Sequence, residues 1–132
     1  MEKGSILGLG HVGIFITDME RSKAFYRDVL DFDCVYEYTM EDGTQIAFIR
    51  NGDCTLELVR NVSPEQRVDG WVDHVAFRVR NIEAVQAALV QRGLSVYDSD
   101  EIVHNPKCFP GGAKWVLFRG PDGEHLEITE VL

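Results

Sequence analysis

The sequence predicts an α+β fold of two tandem βαβββ modules, which form a cupped mixed sheet with the helices on its outer face. Three observations carry this expectation. At an offset of 63 residues, His11, Val12, Ile16, Asp18, Met19 and Glu20 align with His74, Val75, Val79, Asn81, Ile82 and Glu83, and self-similarity of this kind marks a repeated structural unit. The halves also end alike: Phe48, Arg50 and Gly52 leading to Leu56, Glu57 and Leu58 resemble Phe118, Arg119 and Gly123 leading to Leu126, Glu127 and Ile128. Within each half, the apolar pattern changes from alternation to a helical stripe and then back to strand-like runs.

Taken in order, Leu7 to Ile16 reads as a strand, with Val12, Ile14 and Ile16 on one face and His11, Gly13 and Phe15 on the other. Thr17 and Glu20 have the spacing of a capping box that opens a helix. Met19, Ser22, Phe25, Tyr26 and Val29 form its covering stripe through Leu30. Strands follow over Cys34 to Met40, Thr44 to Arg50 and Asp53 to Val59, separated by Asp42-Gly43 and Asn51-Gly52, which supply the positive φ of tight hairpins. Ser63, Pro64 and Gly70 mark a linker. The second module reads as a strand over Trp71 to Arg80, a helix capped by Asn81 and ended by Gly93, and strands over Leu94 to Tyr97, Ala113 to Arg119 and Glu124 to Val131. The stretch Asp98 to Gly112 reads as a long loop with room for a functional role.

At 132 residues the chain has the length of one domain that buries a core without disulfides. Residues 1–132 are expected to form that domain, with module 1 over about 5–61, a linker over about 62–70 and module 2 over about 71–132. The net charge of −9 comes without clustered Lys and Arg, so nucleic acid is not an expected partner. No apolar run approaches the roughly 20 residues of a membrane span, and the first residues lack a secretory apolar segment. Cys34, Cys54 and Cys108 are odd in number and lack a C-x-x-C spacing, which disfavours a disulfide framework and a thiolate zinc site. The expectation is a cytoplasmic protein whose cysteines are small buried residues.

The chemistry lies on the face opposite the helices. His11 and Glu57 in the first module, and His74 and Glu127 in the second, each alternate with the apolar residues that face the helices. One strand histidine is ordinarily a hydrogen-bonding residue, but independent surface residues have no reason to recur at matching places. Two imidazoles and two carboxylates form a sensible ligand set for a divalent ion such as Ni, Co or Zn. His125 shares a strand face with Glu127 and is a candidate extra ligand or base. Gly8, Gly10 and Gly13 spell G-x-G-x-x-G, with Asp31 and Asp33 beyond, but β-forming residues follow where a dinucleotide site requires a helix.

This arrangement resembles the vicinal oxygen chelate superfamily, which includes glyoxalase I, acyl-coenzyme A epimerases, extradiol dioxygenases and antibiotic-resistance proteins. The resemblance spans nearly the whole chain. It is carried by Leu9-Gly10-His11-Val12-Gly13, by Asp18 to Tyr26, and by Gly120-Pro121-Asp122-Gly123-Glu124-His125-Leu126-Glu127-Ile128. It implies that His11, Glu57, His74 and Glu127 hold the metal, that Glu127 is the catalytic base and that Glu57 returns the proton. Glu57, where epimerases usually carry Gln, tilts the likeness towards glyoxalase I, a lyase acting on the hemithioacetal of a 2-oxoaldehyde. Phe15 stands where bacterial glyoxalase I carries a glutathione-contacting Arg, Asn61 matches a glutathione-contacting Asn, and Arg78, four residues after His74, is a candidate for a displaced carboxylate or phosphate clamp. Another metalloenzyme of the superfamily, either an epimerase or a dioxygenase, and a non-catalytic binding or resistance protein are the alternative readings. Exposed sheet edges, together with the pairing of modules across subunits in related chains, imply a homodimer.

Overall fold

In each half a helix carries the chain from the first strand to the opposite edge of a four-stranded sheet, whose last strand pairs in parallel with the first. The computed structural model describes residues 2–99 and 101–132. In the first half, β1 (Val12–Phe15), α1 (Met19–Leu30), β2 (Asp33–Thr39), β3 (Gln45–Asn51) and β4 (Cys54–Arg60) form a sheet of order β1-β4-β3-β2, with β1 parallel to β4. The second half repeats this with β5 (Val75–Arg78), α2 (Ile82–Gln91), β6 (Val103–Asn105), β7 (Ala113–Arg119) and β8 (His125–Val131), in the order β5-β8-β7-β6. The expected tandem βαβββ modules are therefore present, each as a four-stranded mixed sheet with one helix.

Several boundaries differ from expectation for identifiable reasons. The first strand starts at Val12 rather than Leu7, because β4 begins to pair only where Leu56 meets Val12, and Leu7 and Leu9 are exposed. Trp71 likewise precedes β5, whose pairing begins with Val75 opposite Leu126. Asp18, not Thr17, caps α1 by accepting from Arg21 N at 3.0 Å. Leu94 to Tyr97 contributes only an isolated bridge between Tyr97 and Phe118, and β6 instead lies inside the stretch read as a loop. Asp100, in that stretch, lies outside the described residues. Cys34 is exposed rather than buried, since β2 is an uncovered edge strand.

The helical stripe of α1 buries Met19, Ser22, Tyr26, Val29 and Leu30. The apolar members join Ile14, Ile16, Leu56 and Leu58 and, from the second module, Ile82, Leu89, Val116, Phe118, Leu126 and Ile128 in one continuous core. No hydrogen-bonded strand pair joins the two sheets among the described residues, so side chains fasten the modules. Phe32 meets Phe77 edge-on with ring centroids 5.6 Å apart. Asp122 accepts from Thr17 N at 3.0 Å, Thr17 Oγ1 at 2.5 Å and Arg21 Nη2 at 2.8 Å.

Deeper in, the Tyr26 hydroxyl donates to Glu124 Oε1 at 2.8 Å, and Glu124 Oε2 accepts from Asp122 N at 2.9 Å. Glu124 is only 2% exposed. A Cβ at Gly120 would come within 2.2 Å of its carboxyl carbon, which explains the glycine there. Burial, followed by the Glu124 charge, pushes the Tyr26 hydroxyl well above its ordinary pKa, so it remains a donor.

Tyr26→Phe should destabilise the fold by about 1.5–3 kcal/mol, the range for a hydrogen bond to a charged group whose partner is left buried. Urea denaturation measures this, and an unchanged midpoint would show that the joint contributes little.

Candidate metal centre

The two predicted half-sites are set by strand register. Gly13 pairs with Glu57 and Ala76 with Glu127. His11 and His74 stand just before β1 and β5, so each lies beside the glutamate of the neighbouring parallel strand. Leu56, Leu58, Leu126 and Ile128 are buried on the helix side, which turns Glu57 and Glu127 to the opposite face. Small residues keep the carboxylates open: a Cβ at Gly13 would lie 3.4 Å from Glu57 Oε2, and a longer side chain would close over it. The result is two equivalent pairs, His11 Nε2 to Glu57 Oε2 and His74 Nε2 to Glu127 Oε2, both at 3.4 Å.

That separation is long for a hydrogen bond, for which about 2.7–3.2 Å is usual. It is close to the roughly 3.0 Å between two donors at right angles around an ion with bonds of about 2.1 Å. Each pair therefore has the chemistry and approximate spacing of half a metal shell. Burial pushes the Glu127 carboxyl above its ordinary value, opposed by the neighbouring His74, by Thr129 and by His125. Among the described residues the two pairs are not gathered into one set. The set of three or more His, Cys, Asp and Glu donors within 4.8 Å of one another is Asp73, His74 and His125.

This cluster extends the second half-site in a way the sequence reading missed in part. Asp73 Oδ2 lies 2.7 Å from His74 Nδ1 and 3.5 Å from His125 Nδ1. The hydrogen bond to His74 is the main reason the Asp73 carboxyl lies below its usual range. His125 Nε2 contacts the Asp98 carboxylate without hydrogen-bond geometry. Arg119 holds Asp98 at 3.0 Å and Asp69 at 2.7 Å, and Asp69 also meets Arg67 at 2.9 Å. The signal for Asp73 was present as a break in the repeat, because Gly10 precedes His11 where Asp73 precedes His74.

The candidate substrate residues separate. Phe15, 68% exposed on β1, and Asn61, after β4, share a recess of about 390 Å³. Phe15 also lines a cleft of about 250 Å³ between the β1 and β5 edges, together with His74 and His125. Arg78 opens instead onto an apolar cavity of about 590 Å³ near the ends of α1 and α2. Gly8 and Gly10 precede β1 and Gly13 lies within it, so these glycines do not join a strand to a helix. Among the described residues, no helix is long and apolar enough to cross a membrane.

A mouse protein, mitochondrial methylmalonyl-CoA epimerase, is 28% identical over 85 residues, covering 58% of this chain and 48% of its own length. The crystal structure of a glyoxalase family protein from Enterococcus faecalis superposes with a TM-score of 0.74 at 26% identity, over 93% of this chain and 97% of that one. A mutant of the fosfomycin resistance protein FosX from Listeria monocytogenes, complexed with Mn(II) and 1S,2S-dihydroxypropylphosphonic acid, shares the fold with a TM-score of 0.69 at 13% identity, over 93% and 91% of the two chains. Residues 8–128 match the Glyoxalase/Bleomycin resistance protein/Dioxygenase superfamily, and the chain belongs to that superfamily.

Proposed function

We propose that this protein is a metal-dependent isomerase or lyase that moves a proton next to the carbonyl of a substrate with two adjacent oxygen donors. The observation that carries the reading is the pair of matched His–Glu half-sites at 3.4 Å, generated by the same strand register in both modules. His11, Glu57, His74 and Glu127 would hold a divalent ion such as Ni, Co or Zn. The ion would supply Lewis acidity to the paired substrate oxygens.

Glu127 is the proposed base. Partial burial raises its affinity for a proton, and proton transfer is most effective when the base's pKa approaches the working pH. It takes the proton from the carbon next to the carbonyl, and Glu57, in its protonated form, returns one from the opposite side. Exchange with water then resets both carboxyls. Applied to a 2-oxoaldehyde hemithioacetal, this moves hydrogen between adjacent carbons, as in glyoxalase I. Phe15 in place of an Arg makes glutathione a doubtful thiol, so several thiols belong in the assay. A second reading uses the same proton chemistry to epimerise an acyl thioester, and the likeness to methylmalonyl-CoA epimerase favours it.

Neither half-site is a full shell, and a second copy of the chain is the proposed source of completion. Leu9, Phe15, Val68, Trp71 and Val72 are exposed around the β1 and β5 edges. Apolar surface of this kind beside two open strand edges fits a homodimer interface.

Three measurements test the proposal. Purified protein reconstituted with Co(II), Ni(II) or Zn(II) should hold about one ion per four-ligand site, and affinity should fall as pH drops through the raised Glu127 pKa, because protons and metal compete for its carboxylate. No uptake by elemental analysis, or unchanged affinity in His74→Ala, would end the metal reading. Glu127→Gln should lower turnover at saturating metal by about 10²–10⁴-fold, since an amide accepts no proton; a variant as active as wild type removes Glu127 as base. Light scattering at micromolar concentration should report a dimer that Trp71→Glu weakens, and a metal-binding monomer would show that one chain suffices.

A further inference from the structure

His74 uses its two ring nitrogens differently. Nε2 faces Glu127 Oε2 at 3.4 Å, whereas Nδ1 faces Asp73 Oδ2 at 2.7 Å. The shorter distance is that of an N–H···O bond to a carboxylate, and it falls below the roughly 3.0 Å expected between neighbouring donors on one ion. Asp73 is thus placed to accept from Nδ1–H rather than to join His74 as a fellow ligand. A neutral imidazole carries one N–H, so a proton fixed on Nδ1 leaves the Nε2 lone pair facing Glu127.

We propose that Asp73 is the positioning residue of the second half-site, holding His74 in the Nδ1–H tautomer with Nε2 free for the ion shared with Glu127. This rests on the metal-centre reading above. The geometry around Asp73 supports the role: His125 Nδ1 stands 3.5 Å from the same carboxylate oxygen, and His125 is backed by Asp98, which Arg119 holds at 3.0 Å. Among the described residues the first module has no such device. The repeat places Gly10 (73 − 63) at the position of Asp73, and the Glu57/Glu127 offset places Thr55 (125 − 70) at that of His125. His11 instead meets the edge of Phe48, with ring centroids 5.5 Å apart. The two half-sites are alike in ligands and unlike in support, so the second is the preorganised one.

The test begins with the metal-free full chain at about pH 8, above the range in which imidazoles ordinarily protonate. Long-range ¹H–¹⁵N correlation should find His74 as the Nδ1–H tautomer in wild type and in Asp73→Asn, whose carbonyl still accepts, and shifted towards Nε2–H in Asp73→Ala. Co(II) titration should then show affinity about 10–100-fold weaker in Asp73→Ala, with partial rescue by Asp73→Asn. A Co(II)-binding wild type whose tautomer and affinity both ignore Asp73→Ala overturns the positioning role alone. A wild type that takes up no Co(II), Ni(II) or Zn(II) overturns the metal centre and, with it, any role towards an ion. If Asp73→Ala and His125→Ala abolish uptake while Glu127→Ala leaves it intact, Asp73 is itself a ligand and the proposal fails.

Discussion

The contact on which the rest of the structure depends is the buried hydrogen bond from Tyr26 to Glu124. It ties the first module's helix to the turn that launches β8, the strand that carries His125 and Glu127. A carboxylate 2% exposed is tolerable only with its oxygens satisfied, and the Tyr26 hydroxyl and the Asp122 amide satisfy them. Asp122 in turn gathers Thr17 and Arg21 from the start of the same helix. The apolar core supplies most of the driving force for joining the modules, but it is non-directional. The polar joint fixes where the second module's launch turn sits against the first.

Duplication gives both halves the same frame and lets them diverge at its edges. Helix and sheet are repeated closely enough that His and Glu meet across a parallel strand pair at the same distance in each. Around that frame the second module carries more charge: Asp73, Asp98, His125 and Arg119 form a connected group, whereas His11 of the first pair meets Phe48, and Gly10 and Thr55 stand at the repeat positions of Asp73 and His125. An anionic group next to one imidazole alters its electronic character as well as its orientation, so the repeat yields two electrostatically different halves from one backbone plan.

The module order, both helices and the strand faces were legible because they rest on local patterns: alternation around Leu56-Glu57-Leu58, the stripe from Met19 to Val29, and turn glycines such as Gly43 and Gly93 at positive φ. The failures lie where a partner distant in sequence decides. Thr17 looked like a cap, but its hydroxyl is claimed by Asp122 across 105 positions of sequence, and Asp18 takes its place. Leu7 to Gly10 looked like strand, but among the described residues β4 pairs only from Val12 onward. The His–Glu pairs were readable from the repeat. Asp73 left only the break in the repeat at Gly10 as a signal and Asp98 left none, because their contacts to His74 and His125 arise only when the start of β5, the end of the 94–98 stretch and β8 converge.

The two sheets are each laced by backbone hydrogen bonds, yet among the described residues no strand pairing joins them and side chains make the connection. Each module therefore behaves mechanically as a stiff plate, while the seam between them is the soft coordinate. The spacing within a His–Glu pair is set by strand register and resists change. The spacing between pairs answers to rotamers and to small sliding at the seam. Relative displacement of the two pairs therefore needs no strand to bend.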